Sequence, residues 1–140
     1  MNKQMILIVC TDDDNGMAFA NRRQSQDRLL RERLLRLSSG KLWLNAYSAK
    51  QFSPEESADF IIDEDFLEHA GANDFCFAET ADPAPYAERI EKLILYRWNR
   101  RYPASLHFSI PLAEHGWKLV STEDFKGHSH ETITEEVYVK

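Results

Sequence analysis

Met5-Ile6-Leu7-Ile8-Val9-Cys10 is an unbroken apolar run, and Thr11-Asp12-Asp13-Asp14-Asn15-Gly16 closes it with residues that favour a turn. A short apolar run bounded in this way reads as a strand buried on both faces. The chain is therefore expected to open with a central strand.

Outward from that strand, Ser25 to Leu37 has helical spacing: Leu30, Leu34 and Leu37 fall at i, i+4 and i+7, and Gly40 supplies a stop. Lys41 to Ala46, Phe60 to Ile62 and Phe75 to Ala78 are short strand candidates. Asp65 to Ala70 reads as one short helix ended by Gly71. Pro83 or Pro85 can open a further helix running to about Glu91, ahead of the apolar run Leu93 to Trp98. Strands that alternate with helices imply a mostly parallel sheet. His107 to Ile110, Trp117 to Ser121 and Thr132 to Val139 read instead as strands with turns between them, the pattern of an antiparallel C-terminal end. Ser53 to Ser57 is expected to be a surface loop or one helical turn. The fold class expected is α/β, a mostly parallel central sheet flanked by helices.

The 140 residues and 16.3 kDa suit one domain spanning residues 1–140. The longest apolar run falls far short of the roughly 20 residues a membrane span needs. Asn2 to Gln4 do not make a signal-peptide n-region, so a cytoplasmic location is expected. Cys10 and Cys76 lie in apolar stretches and are read as buried free thiols. The net charge of −6 argues against broad nucleic-acid affinity. The charge is uneven, however: six arginines lie between Arg22 and Arg36, while Glu55 to Glu68 is acidic.

Asp27 is the residue with the clearest chemical potential. A carboxylate on the apolar face of a helix's first turn is desolvated, which predicts a raised pKa and a group able to protonate a heterocycle or hold its amino group. Asp27 could equally pair with Arg23 or Arg31, or favour the helix N-terminus electrostatically. Arg22, Arg23, Arg28 and Arg31 could form an anion site beside it or a solvated helix face. Tyr96-Arg97-Trp98-Asn99-Arg100-Arg101-Tyr102 interleaves aromatics with arginines, as base-stacking segments do, and also as strand ends do. His128-Ser129-His130-Glu131 has a spacing that can put two imidazoles on one side of a strand for a metal, but no second cluster of His or Cys supports it. No metal site is therefore assigned. The five histidines also lack the His-x-His-x-Asp-His cluster that a metallo-β-lactamase-like ribonuclease Z would need.

Gly116-Trp117-Lys118-Leu119-Val120-Ser121, then Glu123-Asp124-Phe125 and Val137-Tyr138, resembles the C-terminal strands of dihydrofolate reductase. The rest of the chain is similar to that family in outline. Asn15-Gly16-Met17 matches its turn after the first strand, and Asp27 its acidic helix. Lys41 to Ser48 matches its next strand and turn, Ile90 to Leu95 a helix end and strand, and Ser105 to Phe108 a short later segment. The resemblance implies a dihydrofolate-reductase-like domain with a small-molecule cleft around Asp27, Met17, Leu30, Leu34 and Ser48. In that cleft Asp27 is the candidate catalytic residue, orienting a heterocyclic or amino-bearing ligand. Arg22-Arg23 replace the family's Pro-Trp pair and add an anionic ligand to the candidates.

The family holds NADPH at a Gly-Gly pair after a strand, where this chain has Ala78-Glu79-Thr80-Ala81, and Ala46 replaces its phosphate-binding arginine. Residues between Phe52 and Phe60 are too few for the extra strand of the family's adenosine pocket. NADPH-dependent reduction is thus disfavoured, and the cofactor residues stay unassigned. The competing reading is a protein that binds a phosphorylated ligand or RNA through Arg22–Arg36 and Tyr96–Tyr102.

Overall fold

The computed structural model describes residues 4–114 and 116–140. Asn2 and Lys3, read above against a signal segment, and His115 lie outside them. The chain builds a seven-stranded sheet with β1 (Met5–Thr11) as its middle strand. Beside β1 lie β6 (Phe75–Phe77) and β7 (Ile90–Arg97), both parallel to it. Beyond β6 come β4 (Leu42–Leu44) and the edge strand β5 (Ile61–Ile62), again parallel. Beyond β7 the sheet turns antiparallel through β10 (Ile133–Val139) to the edge strand β9 (Lys118–Phe125).

The opening run behaves as its composition dictates. Met5, Leu7 and Val9 enter one core and Ile6 and Ile8 the other, so β1 is buried on both faces. The face with Ile6 and Ile8 is covered by α1 (Arg28–Ser38), which inserts Leu30 and Leu34 among Leu42, Leu44, Phe77, Ile94 and Tyr96. The other face is closed by α3 (Phe66–His69), Phe108, Ile110 and Trp117. The helix begins later than its apolar spacing suggests because Asp27 caps it. It ends where Ser39 turns left-handed (φ 54°) and the Gly40 N–H donates to the Leu35 carbonyl at 2.9 Å.

Two expectations shift. The segment opened by Pro83 is a 3-10 helix, Ala84–Arg89, because Ile90 must already join the sheet opposite Met5. The strand expected over His107 to Ile110 shrinks to β8 (Leu106–His107) and leaves the main sheet. It pairs with β2 (Gly16–Phe19), which also pairs with β3 (Arg22–Arg23), in a small three-stranded sheet. Phe108 and Ile110 go into the core instead. The turn from β1 to β2 is fixed by Asp12, whose carboxylate accepts the N–H groups of Asp14 (2.9 Å) and Gly16 (2.7 Å). Residue 16 must be glycine, since a Cβ there would stand 2.6 Å from that of Ala104.

Between α2 (Ala46–Ala49) and β5 the chain makes only a turn, with the Ser57 N–H donating to the Ser53 carbonyl at 3.0 Å. Cys76 is buried and Cys10 partly so, and both are free thiols. Among the described residues no helix is long and apolar enough to cross a membrane.

Candidate functional site

The carboxyl ends of β1, β6 and β7 converge on a crevice roofed by the start of α1, the place where open α/β sheets bind ligands. Two carboxylates, Asp27 and Glu79, line it together with Cys10, Ser25, Arg31, Gln51 and Trp98. They are held in opposite ways.

Asp27 sits at the helix N-cap in extended conformation (φ −152°, ψ 130°), and its Oδ1 accepts the N–H groups of Leu29 at 2.9 Å and Leu30 at 3.2 Å. The C-terminal loop grips the same carboxylate from outside. His128 N–H donates to Oδ1 at 3.0 Å, and Ser129 N–H (2.9 Å) and His130 N–H (3.2 Å) donate to Oδ2. Consecutive N–H groups pointing inward form an anion nest, and here the anion is the protein's own side chain. Gly127 permits the approach: a Cβ at that position would lie 2.6 Å from Asp27 Oδ2 and 2.9 Å from the His130 carbonyl.

The raised pKa expected for Asp27 is therefore corrected. Burial by itself would raise it, but the donors from His128, His130, Ser129 and Leu30 outweigh burial and hold the carboxyl well below the ordinary range. The side chain is 0% exposed, so the group is a locked anion.

His130 completes the lock. Its Nδ1 lies 3.0 Å from Asp27 Oδ2, its Nε2 lies 3.0 Å from Ser25 Oγ and 3.1 Å from Tyr102 Oη, and its ring stacks on Trp98 at 4.5 Å. Both ring nitrogens are thus engaged by protein groups. His128 is exposed and faces Arg28 at 3.4 Å, so the His-x-His pair does not converge. Among the described residues no cluster of three or more His, Cys, Asp or Glu could hold a metal.

Glu79, at the carboxyl end of β6, is only 8% exposed, and among the described residues the hydrogen bonds to its carboxylate come from side chains. Arg23 Nε donates to both oxygens, at 3.2 and 3.1 Å, and Gln51 Nε2 donates to Oε1 at 3.1 Å. The Arg23 guanidinium lies 4.4 Å above the Tyr47 ring and donates to the Tyr47 carbonyl at 3.2 Å. Nearby charge also acts on Cys10, whose thiol is pushed well up by burial and by Glu79. The space left in the crevice is about 10 Å³, room for one water.

The residues singled out in the sequence separate. Asp27, Leu30 and Leu34 border the crevice, with Arg23 at its mouth. Met17 does not join them. It lies in the core on the opposite face of the sheet, with Leu7 and Phe108, because β2 belongs to the small sheet. Ser48 is fully buried in α2, and its Oγ has no hydrogen-bond partner among the described residues. Arg22 is exposed beside a separate groove formed with Phe19, Gln24, Tyr102 and Pro103. Sequence reasoning did not pair Glu79 with Arg23, nor His130 with Asp27. The members of those pairs are 56 and 103 residues apart, and only the tertiary fold joins them.

The residues that replace the phosphate site do not fit a dinucleotide. Ala78 is buried, Glu79 adds a carboxylate that would repel a pyrophosphate, and a short 3-10 helix rather than an α-helix N-terminus follows.

No family model and no curated protein sequence matches the chain. Among solved structures it is similar to a dihydrofolate reductase from Enterococcus faecalis complexed with NADP(H) and RAB-propyl. The superposition has a TM-score of 0.66 at 8% identity, over 99% of this chain and 96% of that one. An agreement of that extent at such low identity is one of architecture, and the chain has the dihydrofolate-reductase-like fold.

Proposed function

We propose that this protein binds a small amino-bearing heterocycle in the crevice at the carboxyl ends of β1 and β6, with Glu79 rather than Asp27 as the anchoring carboxylate. The observation that carries this reading is the contrast between their partners. Asp27 is held largely by backbone N–H groups, which cannot leave without unfolding the loop. Glu79 is held by a guanidinium and an amide at the ends of long side chains, which can rotate away.

A ligand bearing an amino or amidinium group replaces those donors one for one at Glu79. Arg23, swung off Glu79, stays stacked on Tyr47 and becomes free for an anionic substituent. Ser48, whose carbonyl accepts from Gln51 Nε2 at 3.0 Å, has a buried Oγ without a partner among the described residues and is a further polar contact in this reading. On this reading the crevice, which has room for one water as it stands, opens when the Arg23 and Gln51 side chains rotate. The fold's association with small ligands adds support, although fold alone does not fix function.

The competing RNA reading finds little support. Tyr96 and Trp98 are buried and cannot stack on bases. Arg33 is paired with Glu123 and Glu135, and Arg97 with Glu136.

Thermal unfolding with 2,4-diaminopyrimidine, NADPH, nucleoside phosphates and a short RNA tests the proposal. A ligand at a hundred times its Kd stabilises the native state by about 2.7 kcal/mol, a Tm rise of roughly 5–10 °C for a chain this size. The expected result is a rise with the diaminopyrimidine that Glu79→Gln abolishes, and none with NADPH. A rise that survives Glu79→Gln, or one with RNA alone, contradicts it.

A further inference from the structure

Ser25, His130 and Asp27 stand in a line that the ligand-binding reading does not use. Ser25 Oγ lies 3.0 Å from His130 Nε2, and His130 Nδ1 lies 3.0 Å from Asp27 Oδ2. Asp27 accepts only, so Nδ1 carries the imidazole proton and the Nε2 lone pair faces two hydroxyls, Ser25 Oγ at 3.0 Å and Tyr102 Oη at 3.1 Å. The backbone donors from His128, Ser129 and His130 hold the carboxylate still, and the Trp98 ring fixes the plane of the imidazole. An acceptor-fixed histidine facing a serine hydroxyl is the arrangement that activates a nucleophile. Ser25 is also only half-buried, so that a reagent can reach it.

We infer that Ser25 is an acyl-accepting nucleophile, with His130 as its general base, Asp27 as the positioning residue, and small activated esters as the substrate class. Ser25 Oγ bonds to the acyl carbon as its proton passes to Nε2. The ester C–O bond then breaks, and the departing alcohol takes that proton. A water molecule attacks the acyl-serine and gives one proton to Nε2; the acyl–Oγ bond then breaks, Oγ takes that proton back from Nε2, and the carboxylic acid leaves. The crevice behind Ser25 has room only for a water, so the acyl group approaches from the solvent side, where Arg31 donates through Nη1 to Gln26 Oε1 at 3.0 Å and keeps further guanidinium N–H groups for a carbonyl oxygen that turns negative. Tyr102, whose Oη is 3.4 Å from Ser25 Oγ, also lines the separate groove of about 350 Å³ beside exposed Arg22, which suits an ester carrying an anionic group.

The test uses the full chain with a fluorophosphonate, which transfers its phosphonyl group to an activated serine as fluoride leaves, read by intact mass and peptide mapping. The expected result is one adduct, on Ser25, absent from Ser25→Ala. As a second readout, the thiol of Ser25→Cys is expected to react with iodoacetamide at least tenfold faster than glutathione does, since an imidazole-paired thiol is more ionised. A folded chain whose Ser25 takes up no label, or a residue-25 thiol no faster than glutathione, overturns the inference. Neither readout depends on Glu79, so the outcome is independent of the heterocycle proposal.

Discussion

At the scale of single residues, the roles of Asp27 and Gly127 are inseparable. Gly127→Ala drives a Cβ into Asp27 Oδ2 and the His130 carbonyl, neither of which can retreat. We expect it to destabilise the fold by about 2 kcal/mol or more, seen as a lower urea midpoint at unchanged m. Ala20 makes the opposite case. With Asn21 it forms the two-residue turn between β2 and β3, at φ 50° and 61°, where an alanine is strained and a glycine is not. Ala20→Gly should therefore be stabilising by up to about 1 kcal/mol, and a loss of stability by the same assay would contradict that assignment. Asp27 was legible in the sequence as a chemically unusual residue, but not as to the direction of its shift. Proximity to an apolar face can be read from spacing. The donors that reverse its effect come from a loop about a hundred residues away, which spacing does not contain.

At the scale of elements, β1 and α1 followed their apolar patterns, and departures arose where tertiary demands overruled local pattern. The 3-10 helix after Pro83 is short because Ile90 is claimed by the sheet, and β8 is short because Phe108 and Ile110 are claimed by the core. The junction of α1 with the loop at Gly127–His130 has a pH signature. Asp27 and Asp12 are both lowered in the folded state; at Asp12 burial opposes the shift, and the N–H groups of Tyr102, Gly16 and Asp14 together with Gln24 outweigh it. A depressed carboxyl contributes stability that is fully present above its unfolded pKa of about 3.9 and is lost as pH falls toward the folded value. The urea midpoint should thus drop steeply below about pH 4. Asp27→Ala should lower stability at pH 7 by about 3–5 kcal/mol and flatten that acid limb, whereas an unchanged limb would mean that Asp27 is not clamped.

At the scale of the whole molecule, sequence patterning foretold a parallel sheet with an antiparallel C-terminal end, and the strand order and the structural similarity agree with it. The cleft was less legible, since it depends on side chains that meet only once the sheet is assembled. Met17 was expected beside Leu30 and lies across the sheet from it, and the Arg23–Glu79 pair closes a mouth that local reading left open. The resulting molecule keeps a reductase-like frame, uses the acid of its first helix to fasten its own C-terminal loop, and holds a second acid, Glu79, by the side chains of Arg23 and Gln51. The most direct measurement is a carbon-13 NMR titration of the Asp27 carboxyl in the intact folded chain. The account predicts that its resonance stays in the ionised position through the range where ordinary aspartates, near pKa 3.9, take up their proton. Protonation of Asp27 at or above that value, with the chain still folded, would contradict the clamp and return the carboxylate to the ligand.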